Sequence, residues 1–276
     1  MNNFWTRTLT GAVFLVVMVG GIIWNFWSYI ALFSLIPLLG VWEFYSLMKE
    51  RISLSQKIAG TLLGLILLLA SGGKYFVQVS DNLFSNGLFI IILIFPLFLI
   101  VRLFRPAELF TVFSPVLFGI LYVIFPFCFL LLSFSSESYW NSHNNSNIIL
   151  GFFFLIWSND TFAYLVGRSF GKTKLFERVS PKKTWEGTIG GVICTQGIAY
   201  ILSIYFTELA IIQWMVVAAI VSVFGTLGDL VESMFKRSLG VKDSGNILPG
   251  HGGILDRFDG VLLSSPFVMT YLMLVR

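Results

Sequence analysis

Two stretches of the chain carry residue types suited to phosphate chemistry. Between 232 and 259, four acids (Glu232, Asp243, Asp256, Asp259) are interleaved with four bases (Lys236, Arg237, Lys242, Arg257). Mg²⁺ takes one or two carboxylates and leaves its other positions to phosphate oxygens, so this mixture suits a metal–phosphate site. The same stretch holds Gly240, Gly245, Gly250, Gly252 and Gly253, with Pro249 ahead of Gly250-His251-Gly252-Gly253. Such a sequence argues against a stable helix and predicts looped backbone fixed by its contacts. The second stretch, 168–186, holds Arg168, Lys172, Lys174, Arg178, Lys182 and Lys183 with only Glu177 and Glu186. Glycines and the Ser180-Pro181 turn punctuate it. Ammonium and guanidinium groups on such a backbone fit a phosphate-rich ligand, and they serve equally as a membrane-topology signal. The spacing matches no Walker loop.

Two aspartates stand inside apolar runs. Asp160 lies eight residues before Arg168 and Asp229 seven before Lys236. At about 1.5 Å per helical residue both sit roughly 10–12 Å below those basic ends. A carboxylate at that depth costs on the order of 2.5–3.5 kcal/mol on insertion scales, so it lines a cavity or meets a cation. Asp229, one helical face with Glu232 and Ser233, reads as a metal ligand. Asp160, on a face with Tyr164, reads as a cavity residue or as a hydrogen-bond partner between helices. Glu43 reads as structural. His251 is a general base or a hydrogen-bonding group for phosphate or loop backbone, and His143 has no evident role.

The elements that position these residues must be membrane helices. Of the 276 residues 57% are hydrophobic and 12% charged, about half the charge usual in soluble proteins, and the mean hydropathy is +0.86. Spans of about 20 residues fit near 8–24, 28–48, 58–73, 84–101, 111–134, 148–167, 187–206, 210–231 and 260–275. The fold class is therefore all-α, a polytopic membrane protein of about nine spans. The run after Arg7 reads as a retained first span, since no small-x-small cleavage site follows. With the N-terminus inside, sixteen of the eighteen Lys and Arg fall on the cytoplasmic side, Lys74 and Arg276 being the exceptions, which supports an N-in, C-out orientation. This asymmetry accounts for the +4 charge without nucleic acid as a partner. Cys128 and Cys194 lack zinc-like spacing and read as packing residues. Residues 1–147 form an N-terminal region of about five spans. Residues 148–276 form a catalytic region with cytoplasmic loops at 168–186 and 232–259.

The run Ser233-Met234-Phe235-Lys236-Arg237, then Lys242-Asp243-Ser244-Gly245, Leu248-Pro249-Gly250-His251-Gly252-Gly253 and Asp256-Arg257-Phe258-Asp259 resembles the signature of the phosphatidate cytidylyltransferase (CDP-diacylglycerol synthase) family. The likeness extends over roughly 157–260, including Asn159-Asp160 and Ser180-Pro181-Lys182-Lys183-Thr184-Trp185-Glu186-Gly187. The first 150 residues resemble the family only in hydropathy, length and span count. The resemblance implies a nucleotidyltransferase of the inner (cytoplasmic) membrane, a homodimer facing the cytoplasm, that joins CTP and phosphatidic acid into CDP-diacylglycerol and pyrophosphate. It implies Mg²⁺ on Asp229 and Asp256, with a second monovalent or divalent cation left open. Its signature bases fall on Lys236, Arg237, Lys242 and Arg257. Asp243 and Asp259 complete the catalytic set. Asp160, Ser180, Lys182, Lys183, Glu186, Gly250, His251, Gly252 and Gly253 form the substrate-binding set. Two other readings stay open: a CTP-dependent polyprenol kinase and a transporter for an anionic lipid or metabolite. A CDP-alcohol phosphotransferase is excluded, because the chain lacks the DxxDGxxAR run.

Overall fold

In hydrocarbon every backbone N–H and C=O must find its partner within the spanning segment, so long apolar runs fold as helices. The computed structural model describes residues 3–72, 96, 97, 100, 104, 114–133, 145–250 and 252–275. Among them eight helices are long and apolar enough to cross a membrane; the protein is a multi-pass membrane protein. They are α1 (Asn3–Ile23), α2 (Phe26–Leu47), α3 (Leu54–Gly72), α4 (Pro115–Gly119, a π-helical turn Ile120–Ile124, then Phe125–Ser133), α5 (Asn145–Phe170), α6 (Trp185–Tyr205), α7 (Ile211–Ser238) and α8 (Leu255–Val275). The span expected at 84–101 falls almost entirely outside the described residues, as do Lys74, Arg102 and Arg105.

The polar connections are more ordered than the sequence suggests. The 168–186 stretch is not an open loop. Helix α5 runs to Phe170, and an antiparallel hairpin of β1 (Lys174–Phe176) and β2 (Ser180–Thr184) follows. Thr184 then caps α6, its hydroxyl accepting the Gly187 N–H at 3.2 Å. The 232–259 stretch is looped only in its middle, because α7 continues to Ser238 and α8 starts at Leu255. All five glycines lie in the gap between these helices. Glu232–Ser238 contains no helix breaker, and Lys236 and Arg237 complement the negative C-terminal end of α7. Gly240, Gly250 and Gly252 have φ of 69°, 77° and 85°, a left-handed backbone that other residues adopt at a cost.

Small residues let the site-bearing helices approach one another. A Cβ on Gly187 would lie 2.6 Å from the Ala163 carbonyl oxygen, and one on Gly191 would lie 3.0 Å from the Ala163 Cβ. Gly187 and Gly191 are one turn apart, so α6 seats against α5 along a small-xxx-small stripe. A Cβ on Gly228 of α7 would collide with the Asp259 carbonyl of α8. Aromatic packing ties the first half of the chain to this group: Phe44 of α2 stacks on Phe235 of α7 at 4.8 Å and on Phe118 of α4 at 5.5 Å. Buried apolar residues from Met18 to Leu272 form one continuous cluster. Intrahelical bonds, such as Ser71 Oγ to Leu67 O at 2.7 Å and Ser264 Oγ to Gly260 O at 2.6 Å, satisfy hydroxyls within the spans. Large apolar side chains such as Val16, Leu62, Ile66 and Ile193 point outward, as lipid contact requires.

Candidate active site

The close seating of α5, α7 and α8 brings carboxylates from three helices around one cavity of about 640 Å³. Asp160 of α5, Asp229 of α7, and Asp256 and Asp259 of α8 line it together with Lys182 and Lys183 of β2, Arg168 and Arg257. The hairpin thus contributes two lysines to a space that four aspartates also line. On the α1 side the lining is Thr10, Gly11, Phe14 and Leu15, two small or polar residues and two apolar ones.

Helical spacing places Asp229, Glu232, Ser233 and Lys236 on one face of α7. Carboxylate oxygens of Asp229, Glu232 and Asp259 all lie within 4.8 Å of one another, a group that could hold a metal ion. Two unit charges at that separation repel by roughly 3–4 kcal/mol at an effective dielectric of about 20, so the trio demands a counter-charge. Lys183 Nζ meets Asp229 Oδ2 at 2.6 Å, and Ser233 Oγ donates to Asp229 Oδ1 at 3.2 Å. Burial alone would push the Lys183 ammonium down. The Asp229 carboxylate, with Asp160 and Asp259 beyond it, overrides burial and holds Lys183 above the ordinary lysine range. Glu232 is 1% exposed and takes Lys236 Nζ on Oε2 at 2.5 Å. Its Oε1 has no hydrogen-bond partner among the described residues. An orphaned, buried carboxylate oxygen beside two more carboxylates is a donor set that fits a hard cation.

Asp256 is differently engaged. Lys236 Nζ lies 2.6 Å from its Oδ1, and the N–H groups of Ser244 and Gly253 donate to its Oδ2 at 3.0 and 2.8 Å. It lines the cavity while holding the loop between α7 and α8. Lys236 therefore bridges Glu232 and Asp256. A second, more polar cavity of about 690 Å³ adjoins the first through Leu248 and Arg257; Lys242, Asp243, Gly250 and Gly252 line it with Arg7 of α1, whose Nε donates to Gly250 O at 2.9 Å.

The expected residues separate accordingly. Asp160, Lys182, Lys183, Asp229, Asp256, Arg257 and Asp259 share the first cavity, and Lys242, Asp243, Gly250 and Gly252 the second. Glu186 accepts the Lys172 and Thr173 N–H groups, each at 3.1 Å, and holds the hairpin against α6. Ser180 opens β2. Arg237 is exposed, its Nη1 turned toward Val241 O at 3.4 Å. Gly253 packs under Glu43, and His251 lies outside the described residues. The sequence put Glu232 among the loop acids and on the helical face of Asp229, but not among the expected metal ligands, Asp229 and Asp256. Its spacing three residues after Asp229 was the available signal. Arg7, 243 residues from Gly250, offered none.

A family model described as "Cytidylyltransferase family" matches residues 5–275. Curated relatives named phosphatidate cytidylyltransferase are similar over 122 residues: 52% identical in Staphylococcus haemolyticus, 51% in Staphylococcus saprophyticus and 52% in Staphylococcus aureus. Each match covers 44% of this chain and 46% of the relative, so the chain spans about half the length of the curated relatives it matches.

Proposed function

The chain belongs to the cytidylyltransferase family, and from that premise we propose that it transfers the cytidylyl group of CTP to phosphatidic acid, releasing CDP-diacylglycerol and pyrophosphate. The single observation that carries this reading is the cavity between membrane helices where the acids of α5, α7 and α8 face Lys182 and Lys183. A membrane-confined phosphate and a soluble triphosphate both need cations at the edge of the bilayer, and the basic hairpin follows directly on the end of α5, a helix long and apolar enough to span. The same basic residues support a site on the cytoplasmic side of the cytoplasmic membrane. The names of the relatives favour phosphatidic acid as acceptor, and no observation favours γ-phosphoryl transfer or transport. A homodimer is the expected assembly, measured by sedimentation in detergent.

In this reading an oxygen of the lipid phosphomonoester attacks the α-phosphorus of CTP in line. The new P–O bond forms as the bridge to the β-phosphorus breaks, and pyrophosphate leaves with the electron pair. The phosphomonoester, with a second pKa of about 6, is already ionised near neutral pH and needs no strong general base. Lys182 and Lys183 receive phosphate charge from the hairpin side. Lys236 and Arg257 do so from the α7–α8 side, stabilising charge that grows on the leaving group. Asp229, with Glu232 and Asp259, would hold Mg²⁺. For Asp256 to act as a further ligand, Lys236 must release its Oδ1 and turn toward phosphate. The ion, when bound, supplies charge neutralisation and polarises the attacked phosphoryl group. The test uses purified protein in detergent with CTP labelled at the α- or γ-phosphate. The reading expects the α-label in lipid and the γ-label in pyrophosphate. A γ-label in lipid means kinase chemistry, and no transfer to phosphatidic acid sinks the proposal.

A further inference from the structure

Glu43 sits near the end of α2, far in sequence from the loop it meets. It is 5% exposed and accepts three bonds from that loop and the start of α8. Ser244 Oγ donates to Oε1 at 2.5 Å, the Ile254 N–H to Oε2 at 2.9 Å and the Leu255 N–H to Oε1 at 3.1 Å. Two glycines make room for it. A Cβ on Gly245 would lie 2.6 Å from Oε2, and one on Gly253 would collide with Oε1.

The first amide groups of a helix have no partner within it. A polar residue just before the helix ordinarily accepts one of them, but Ile254 stands there with an apolar side chain. Glu43 supplies the acceptor from another helix, and a carboxylate there also suits the positive end of α8. Asp256 binds the same backbone through the N–H groups of Ser244 and Gly253. Ser244 and the segment 253–255 are therefore held by two carboxyl groups, one from α2 and one from α8 itself. An apolar contact would bury as much surface without setting a register, whereas three directed bonds to two oxygens admit one.

We propose that Glu43 is a positioning residue, which sets the register of the 239–254 loop and of the first turn of α8, and so places Asp256 and Asp259 against Asp229 and Glu232. The kinetic consequence rests on the cytidylyl-transfer reading above; the structural one does not. The test compares wild type with Glu43→Gln, which keeps the shape but turns an N–H₂ toward an amide donor, and with Ser244→Ala, which removes one bond of the three. Hydrogen exchange over 240–258, kcat, KM for CTP and the half-activating Mg²⁺ concentration are measured, with Mn²⁺ binding as a readout independent of turnover. In Glu43→Gln the amides of 244 and 253–255 should exchange at least about tenfold faster while α5 and α6 stay unchanged. Its kcat should fall roughly ten- to a hundredfold, the cost of misplacing reacting groups by about an ångström. Mg²⁺ and Mn²⁺ should both be needed at higher concentration, with KM for CTP within about threefold of wild type. Ser244→Ala should shift the same readouts less. Unchanged exchange and kcat in Glu43→Gln would overturn the proposal, and so would faster exchange spread evenly over all helices. If wild type fails to form the lipid nucleotide, the activity reading falls, while exchange and Mn²⁺ binding still decide the role of Glu43.

Discussion

Replacing Lys183 with Met removes an ammonium and keeps most of the side chain's length and apolar stem. The lost group stands 2.6 Å from Asp229, with the two side chains 24% and 31% exposed. Breaking a fully buried pair from one side costs about 3–5 kcal/mol; partial solvent access reduces this to about 2 kcal/mol here. The loss should be larger in EDTA than in Mg²⁺, because a bound divalent cation replaces the missing positive charge beside Asp229, Glu232 and Asp259. Catalysis carries a second cost. A phosphate charge about 4 Å from the ammonium gains about 4 kcal/mol at an effective dielectric of 20. Halved for exposure, that is about 2 kcal/mol, or roughly thirtyfold in kcat/KM for CTP. Lys183→Arg keeps the charge and should lose less. The assays are thermal unfolding in detergent with and without Mg²⁺, and steady-state kinetics. If Lys183→Met stays within about threefold of wild type and unfolds alike in both buffers, Lys183 is a topology charge and the electrostatic argument fails.

Gly228→Ala should lower the unfolding temperature, because its Cβ collides with the Asp259 carbonyl, an overpacking cost of about 1–3 kcal/mol; an unchanged temperature would show that α7 and α8 can part there. Cysteines placed at exposed Thr207 and Arg178 should label from opposite sides of the membrane, Arg178→Cys only from the cytoplasm; labelling of both from one side would refute the orientation. Glu232→Gln should raise the Mg²⁺ concentration needed for half-activation at least about tenfold if its orphaned Oε1 faces the ion. An unshifted Mg²⁺ requirement would remove Glu232 from the ligand set.

The apolar runs made most of the helices legible, since about 20 residues without charge have one spanning solution. The polar connections were not, for two different reasons. Glu232–Ser238 is helical because α7 simply continues past the membrane edge, and composition averaged over 232–259 hid that the glycines lie together between the helices. The hairpin at 174–184 carries no alternating pattern, being mostly charged, and depends on Glu186 holding the Lys172 and Thr173 amides. In the site, the pairing of Asp160 and Asp229 in one cavity was readable from their similar distance to a basic helix end, and both line it. The partners of Asp256 and the reach of Glu43 come from contacts between distant segments, which local spacing does not encode.

The most direct test of the reaction centre is turnover of Asp229→Asn and Asp256→Asn over a full Mg²⁺ titration, using purified protein that inserts and unfolds as wild type does. Each substitution keeps shape and hydrogen-bonding capacity and removes the charge available to a cation. Each should lower kcat at least about a hundredfold at saturating CTP, as expected when metal-assisted phosphoryl transfer loses its ion, and chelation of wild type should reproduce the loss. Near-normal turnover of either variant with Mg²⁺ present would contradict the account and leave that aspartate a packing and loop-holding residue.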